Sequence, residues 1–265
     1  GVIMRWRMAR TSGLATMTDY AEWHRQDAFW ELFEPVLFSQ QRLTLAKEQV
    51  SQIEQLLQIP TGAHILDLCC GVGRHSLELA ARGYAVTGVD RTAHYIEVAR
   101  ESARERNLDI AFAVADMREY QATEAYDVVL NLFGSFGYFD SAADDRRVVS
   151  NMLAALRPGG QVLIETMGKE ILARDFQARD WDEVGDLLLL SEKTVTQNWG
   201  RIETRWIAIR GSERVEHRVS VRSYSAIELS SLLESAGFAD VCVFGNLDGI
   251  AYDQDAQRLV VVGRK

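Results

Sequence analysis

Residues 64–76 read His-Ile-Leu-Asp-Leu-Cys-Cys-Gly-Val-Gly-Arg-His-Ser. A short apolar run ends on an acid, a loop of small residues follows, and a helix begins. A parallel α/β sheet presents a nucleotide-like ligand at a strand tip in this way. Glycines let the backbone approach the ligand, and the free amides of the helix start point at it. A second acid, Asp90, closes the next apolar run, Ala85-Val86-Thr87-Gly88-Val89. It stands 17 residues after Gly73, close to the distance at which an acid receives a ribose diol.

Read as a dinucleotide fingerprint, Gly71-x-Gly73-x-x-Ser76 lacks the third glycine. Asp67, just ahead of the loop, would repel a pyrophosphate. An acid there suits a ligand with a cationic end, and S-adenosylmethionine has an ammonium, a sulfonium and a ribose but no phosphate. Three further landmarks follow in order: Gly88-Val89-Asp90; Ala115-Asp116-Met117 after a third apolar run; and Tyr126-Asp127-Val128-Val129-Leu130-Asn131. The last is closed downstream by Leu156-Arg157-Pro158-Gly159-Gly160 and Val162-Leu163-Ile164. On these landmarks residues 64–168 resemble a class I S-adenosylmethionine-dependent methyltransferase. One departure stands out: the family usually has glycine where this chain has Cys69.

The resemblance implies an α/β fold with a doubly wound, mostly parallel seven-stranded sheet. It implies S-adenosylmethionine as cofactor. Gly71 and Gly73 match the loop that passes its methionine and ribose parts, and Cys69 keeps a carbonyl there. Asp67 matches the acid that helps hold the ammonium. Asp90, with Arg91 beside it, matches the acid that accepts the ribose hydroxyls. Asp116 matches the acceptor of the adenine amine, with Met117 beside the ring. Asn131 ends the strand where the methionine end and the methyl acceptor meet.

Alternation of strand and helix from residue 61 onward predicts right-handed crossovers on a parallel sheet. The pattern breaks after Gly168. Leu187–Leu190, Ile202–Ile209 and Val215–Val221 read as strands, with Gly211-Ser212 as a turn, so residues 169–222 are expected to be an antiparallel insertion of three strands. Ser225-Ala226-Ile227-Glu228 reads as a capping box opening a helix that stops at Gly237. Residues 17–60 are expected to form a helical lid, and its aromatic stretch offers Tyr20 and Trp30 as cofactor contacts. Residues 61–265 form the methyltransferase-like domain. Residues 1–16 carry Arg5, Arg7 and Arg10 and no acid. They read as a presequence or as an extension ahead of Met17, and the second reading is preferred.

The segment Asn131-Leu132-Phe133-Gly134-Ser135-Phe136-Gly137-Tyr138 lacks the two prolines of the family's nucleic-acid amino-methylating motif. A formal net charge of −9 also disfavours a phosphate backbone as partner. The expected acceptor is therefore a small molecule, with Phe133, Phe136 and Tyr138 lining its pocket. Protein or RNA methylation and cofactor binding without catalysis are the alternatives. Tyr138 and His217 are the catalytic candidates. The three cysteines show no disulfide framework and no metal-ligand spacing. No apolar run is long enough to span a bilayer. A cytoplasmic protein is expected, and a homodimer is the assembly left open.

Overall fold

The computed structural model describes residues 22–265. The segment 1–16 and Tyr20 lie outside the described residues. The central sheet has the order β10-β11-β5-β4-β1-β2-β3. Its parallel part comprises β1 (His64–Leu68), β2 (Ala85–Asp90), β3 (Ile110–Val114), β4 (Tyr126–Asn131) and β5 (Leu156–Thr166). β10 (Ala239–Phe244) and β11 (Leu259–Arg264) complete it, with β11 antiparallel to both neighbours. β1 lies between β2 and β4 and is covered on both faces, so it reads as an almost unbroken apolar run.

Helices α3 (Arg74–Ala81), α4 (Ala93–Glu105), α5 (Ala142–Ala155) and α7 (Ala226–Ala236) flank the sheet. The α7 capping box is formed as expected: Ser225 accepts from the Glu228 amide while Glu228 accepts from the Ser225 amide. Gly237 stops the helix at φ 110°. Gly73, expected to contact a ligand, is also tightly packed. It takes φ 77° at the start of α3, and a Cβ there would stand 3.1 Å from Ala99 and 3.2 Å from the Phe112 ring. Its glycine is required by close helix–sheet packing.

The insertion holds four strands rather than three. After α6 (Lys169–Arg174) come β6 (Arg179–Val184), β7 (Leu187–Thr196), β8 (Arg201–Arg210) and β9 (Glu213–Arg222), paired antiparallel in that order. β6 carries Arg179, Asp180, Asp182 and Glu183, and its Trp181 is 65% exposed. An edge strand needs no apolar inward face, so its sequence carried no strand pattern.

Ahead of the sheet, a 3-10 turn (Trp23–Arg25), α1 (Asp27–Leu37) and α2 (Gln40–Leu57) replace the single helical stretch expected. Trp23, Phe29 and Phe33 bury against Leu187, Leu189, Ala208 and Val219 of the inserted sheet. The Trp23 indole donates to the Ser220 carbonyl at 3.0 Å. Each aromatic buried in this way contributes about 1.5–3 kcal/mol. The lid and the insertion are thus one packed body.

The loop after β4 is tied to that body at Gly137, whose carbonyl accepts the Arg222 amide at 2.7 Å. Gly137 has φ 92°, and a Cβ there would stand 2.4 Å from the Arg222 carbonyl oxygen. Gly134 has φ 78° but its nearest atom would be 3.9 Å away. Strain at a left-handed position costs about 1–3 kcal/mol. Gly137→Ala should therefore lower the urea midpoint clearly more than Gly134→Ala. Equal losses in the two variants would show that the Arg222 carbonyl does not constrain this loop.

Candidate active site

The order of strands reverses at the boundary between β1 and β4, and ligands of open α/β sheets bind beyond the carboxyl ends at such a point. A cleft of about 910 Å³, partly open to solvent, lies there. Asp67, Cys69, Gly71, Asp90, Arg91, Asp116, Met117, Trp30, Phe133 and Tyr138 all line it. Sequence reasoning placed these residues together, and the fold brings them to one cavity.

The loop after β1 is shaped by its backbone bonds. The Cys69 and Cys70 amides both donate to the Val89 carbonyl, at 2.7 and 3.0 Å. Cys69 takes φ 67°, a left-handed conformation that glycine adopts without strain, which explains the residue usual at this position in the family. Burial pushes both thiols well up, with the neighbouring carboxylates adding to it, so neither is a thiolate. Asp90 accepts from the Gly71 amide at 2.9 Å and from the Thr92 amide at 2.8 Å. Burial still leaves its carboxyl raised.

Asp67 is 2% exposed and accepts from the Ser76 hydroxyl at 2.6 Å. Arg74, one turn on, also lines the cleft. Its Nη1 donates to the Arg42 carbonyl and to Gln49 Oε1, while its buried Nη2 has no partner. At the other end Asp116 is gripped by Arg118, which donates through its amide, Nε and Nη2. Burial alone would raise Asp116; these bonds outweigh it and hold the carboxyl below its ordinary value.

The N-terminal helices cover the cleft. Arg91 donates to the His24 carbonyl at 3.0 Å and to Asp27 at 2.5 Å. Tyr95 donates to the Trp30 carbonyl at 2.5 Å, and the Phe38 ring stands 2.6 Å from where a Gly71 Cβ would be. His24 is buried in the lining, and neither ring nitrogen has a partner. Burial first, and then the Arg118 charge, lower it to about 4, so the ring is neutral at pH 7. His75 is likewise kept neutral by burial and meets Gln49 Oε1 at 2.9 Å.

Several expected site residues lie elsewhere. Asn131 is fully buried beneath the cleft, donating to the Leu68 carbonyl at 3.1 Å, and so clamps β4 to β1. Phe136 is a core residue packed against Tyr224. His217 sits on β9 against the Phe29 ring, with Nδ1 3.4 Å from Gln26, and does not line the cleft. Tyr138 does, but burial pushes its phenol up, which leaves a hydrogen-bond donor and no base. Arg74, Phe38, Tyr95 and Phe139 were not expected there. Arg74 adjoins Gly73 in the motif; the others reach the cleft only through tertiary packing.

Residues 65–160 match the model for a methyltransferase domain. That match covers a little over a third of the chain. A ubiquinone biosynthesis O-methyltransferase of Coxiella burnetii is 29% identical over 126 residues, covering 47% of this chain and 52% of that protein. A dTDP-4-amino-2,3,4,6-tetradeoxy-D-glucose N,N-dimethyltransferase of Saccharopolyspora spinosa is 29% identical over 119 residues, 44% of this chain and 46% of that protein. The chain thus spans about half the length of these relatives. An S-adenosylmethionine-dependent methyltransferase structure from Clostridium acetobutylicum superposes with TM-score 0.72 at 12% identity, over 90% of this chain and 98% of the other, and so shares the fold. Among the described residues no helix is long and apolar enough to cross a membrane.

The buried acid of the cleft makes stability depend on pH. Burial raises Asp67 from 3.8 to about 6, against the Ser76 bond and the Arg74 charge that lower it. Between those values the folded state holds a proton that the unfolded chain has released. The stabilisation is complete below 3.8 and is lost as pH rises through about 6. Ligand-free Asp67→Asn should therefore melt higher than the parent at about pH 7.5, with the gap closing by about pH 4. Melting curves that differ by a constant amount across this range would rule out a buried, titrating Asp67.

Proposed function

We propose that the protein is an S-adenosylmethionine-dependent methyltransferase acting on a small-molecule acceptor. The observation that carries this reading is the presence of a buried acid and an incompletely bonded guanidinium in one cleft. Asp67 and Arg74 both line it, the Arg74 charge acts on the Asp67 carboxyl, and Arg74 Nη2 has no hydrogen-bond partner. A carboxylate and a guanidinium together complement an amino-acid zwitterion, which is the methionine end of the cofactor. A dinucleotide offers no ammonium to Asp67.

The other contacts follow the cleft outward. Asp90 already holds two amides, and its carboxylate has acceptor capacity left for a ribose diol. Asp116 and the unpaired nitrogens of His24 supply an acceptor and a donor for a base edge. The Cys69 sulfur lies 3.5 Å from the Met117 sulfur, so the two form one soft apolar wall.

The cofactor brings an already activated methyl group on a sulfonium. The chain must then align the acceptor and exclude water, which can be worth about 7–11 kcal/mol. The aromatic lid of Trp30, Phe38, Tyr95 and Phe139 supplies the dry walls. Tyr138 packs its ring on Trp23 at 4.9 Å and acts as a positioning residue.

S-adenosylmethionine and S-adenosylhomocysteine should both raise the melting temperature, and NAD should not. At a hundredfold excess over Kd the stabilisation is about 2.7 kcal/mol. Equal protection by NAD, or none by either adenosyl compound, would end this reading.

Asp90→Ala should weaken S-adenosylhomocysteine binding at least tenfold, because charge-assisted bonds to hydroxyls contribute about 1.5–3 kcal/mol each. It should also lower the melting temperature, since the buried Gly71 and Thr92 amides lose their acceptor. Unchanged affinity by calorimetry in a folded variant would remove Asp90 from the site.

A further inference from the structure

A second cavity, of about 1080 Å³ and partly open to solvent, lies beyond the ends of β4 and β5. The inserted sheet and α6 form its walls, and Phe133 lines both it and the cofactor cleft. Phe133 is held as a partition. Its φ of 64° is left-handed, its amide donates to Glu165 at 3.1 Å, and the Arg42 and Arg74 guanidinia lie 4.7 Å from its ring centre. Its ring remains 37% exposed.

The lining of this second cavity runs against the acidic character of the chain. Lys193, Arg222 and Arg258 face it, with Asp175 as the one acid among the lining residues. Asp175 is already taken by a two-pronged bond from Arg174, at 2.9 and 2.7 Å. Arg222 donates to Asp145 and to the Asp140 carbonyl. Among the described residues the Arg258 side chain makes its hydrogen bond and ion pair through Nε, to Glu165 at 2.7 Å. Among the described residues Lys193, half-buried at the wall, has no ion-pair partner. Met167, Ile171, Leu172 and Phe176 give the wall an apolar stretch, and Thr166, Gln177, Thr204 and Ser223 add neutral polar groups.

Lys193 and the Nη end of Arg258, whose Nε is paired with Glu165, stand beside apolar side chains and complement one kind of molecule. We propose that this cavity is the acceptor chamber, and that the acceptor is an amphipathic small molecule with an anionic group. The anion meets Lys193 and Arg258, the apolar body lies on Ile171, Leu172 and Phe176, and the atom to be methylated points past Phe133. This assignment rests on the methyltransferase reading above.

The test uses the full chain saturated with S-adenosylhomocysteine, so that the first cleft is filled. Calorimetric titration then compares 4-phenylbutyrate with its uncharged amide. The acid should bind about tenfold tighter than the amide, the size of one charge-assisted contact. Lys193→Gln should shrink that preference several-fold while leaving amide and S-adenosylhomocysteine affinities unchanged. Leu172→Ser should weaken both probes about equally. Equal binding of acid and amide, a preference undiminished in Lys193→Gln, or binding of neither probe would overturn the proposal. Failure of S-adenosylhomocysteine itself to bind would instead overturn the methyltransferase reading, so the two failures are distinct.

Discussion

The Asp90 carboxylate holds the geometry of the cleft by accepting the Gly71 amide on one oxygen and the Thr92 amide on the other. The first bond fixes the loop after β1, and the second fixes the start of α4. Both are backbone groups that would otherwise be unpaired in a buried place, where the loss is about 1–3 kcal/mol each. With the loop fixed, Gly71 presents its bare backbone at φ 57°, and the Phe38 ring can close down on it. The lid, the ligand loop and the first two strands therefore meet around a single acid.

The lid depends on the insertion in turn. The first helix buries Phe29 and Phe33 on the inserted sheet and presents Trp30 and Phe38 to the cleft. Two segments more than a hundred residues apart in sequence become one cover, linked by the Trp23–Ser220 hydrogen bond. Gly137 joins the loop after β4 to the same body. A change in the insertion is thereby felt in the cleft through packed aromatic rings.

Charge divides the two cavities. The cleft carries Asp67, Asp90 and Asp116 in its lining, with Arg74 at one end and Arg91, paired with Asp27, as its arginines. The second cavity is lined by cations. Phe133 stands between them with guanidinia packed on its ring, an arrangement in which the ring face attracts each cation and separates the two environments. The two cavities thus offer distinct surfaces to a cationic and an anionic partner.

The parallel sheet and most of the cleft were legible in the sequence, because they depend on local rules. An apolar run buried on both faces, an acid at its end and a small-residue turn are read in one dimension, so Asp67, Gly71, Asp90, Asp116 and Met117 could be named. The capping box at Ser225 is equally local. Other positions are set by what packs against them, which no local pattern carries. Gly73 and Asn131 look like ligand contacts by position, yet one is a close approach to Phe112 and the other a clamp between strands. Phe136 shares the loop of Phe133 and Tyr138, but only the fold turns it into the core. β6 was missed because an edge strand can be charged throughout. The sequence by itself determined the doubly wound core and its row of strand-end acids, since hydrophobic period and turn chemistry act over a few residues. Only the tertiary structure decided that a distant sheet seats the lid, that Arg74 keeps an unpaired nitrogen in the cleft that Asp67 lines, and that Lys193 and Arg258 share a second cavity. Those are relations between segments that no local pattern encodes.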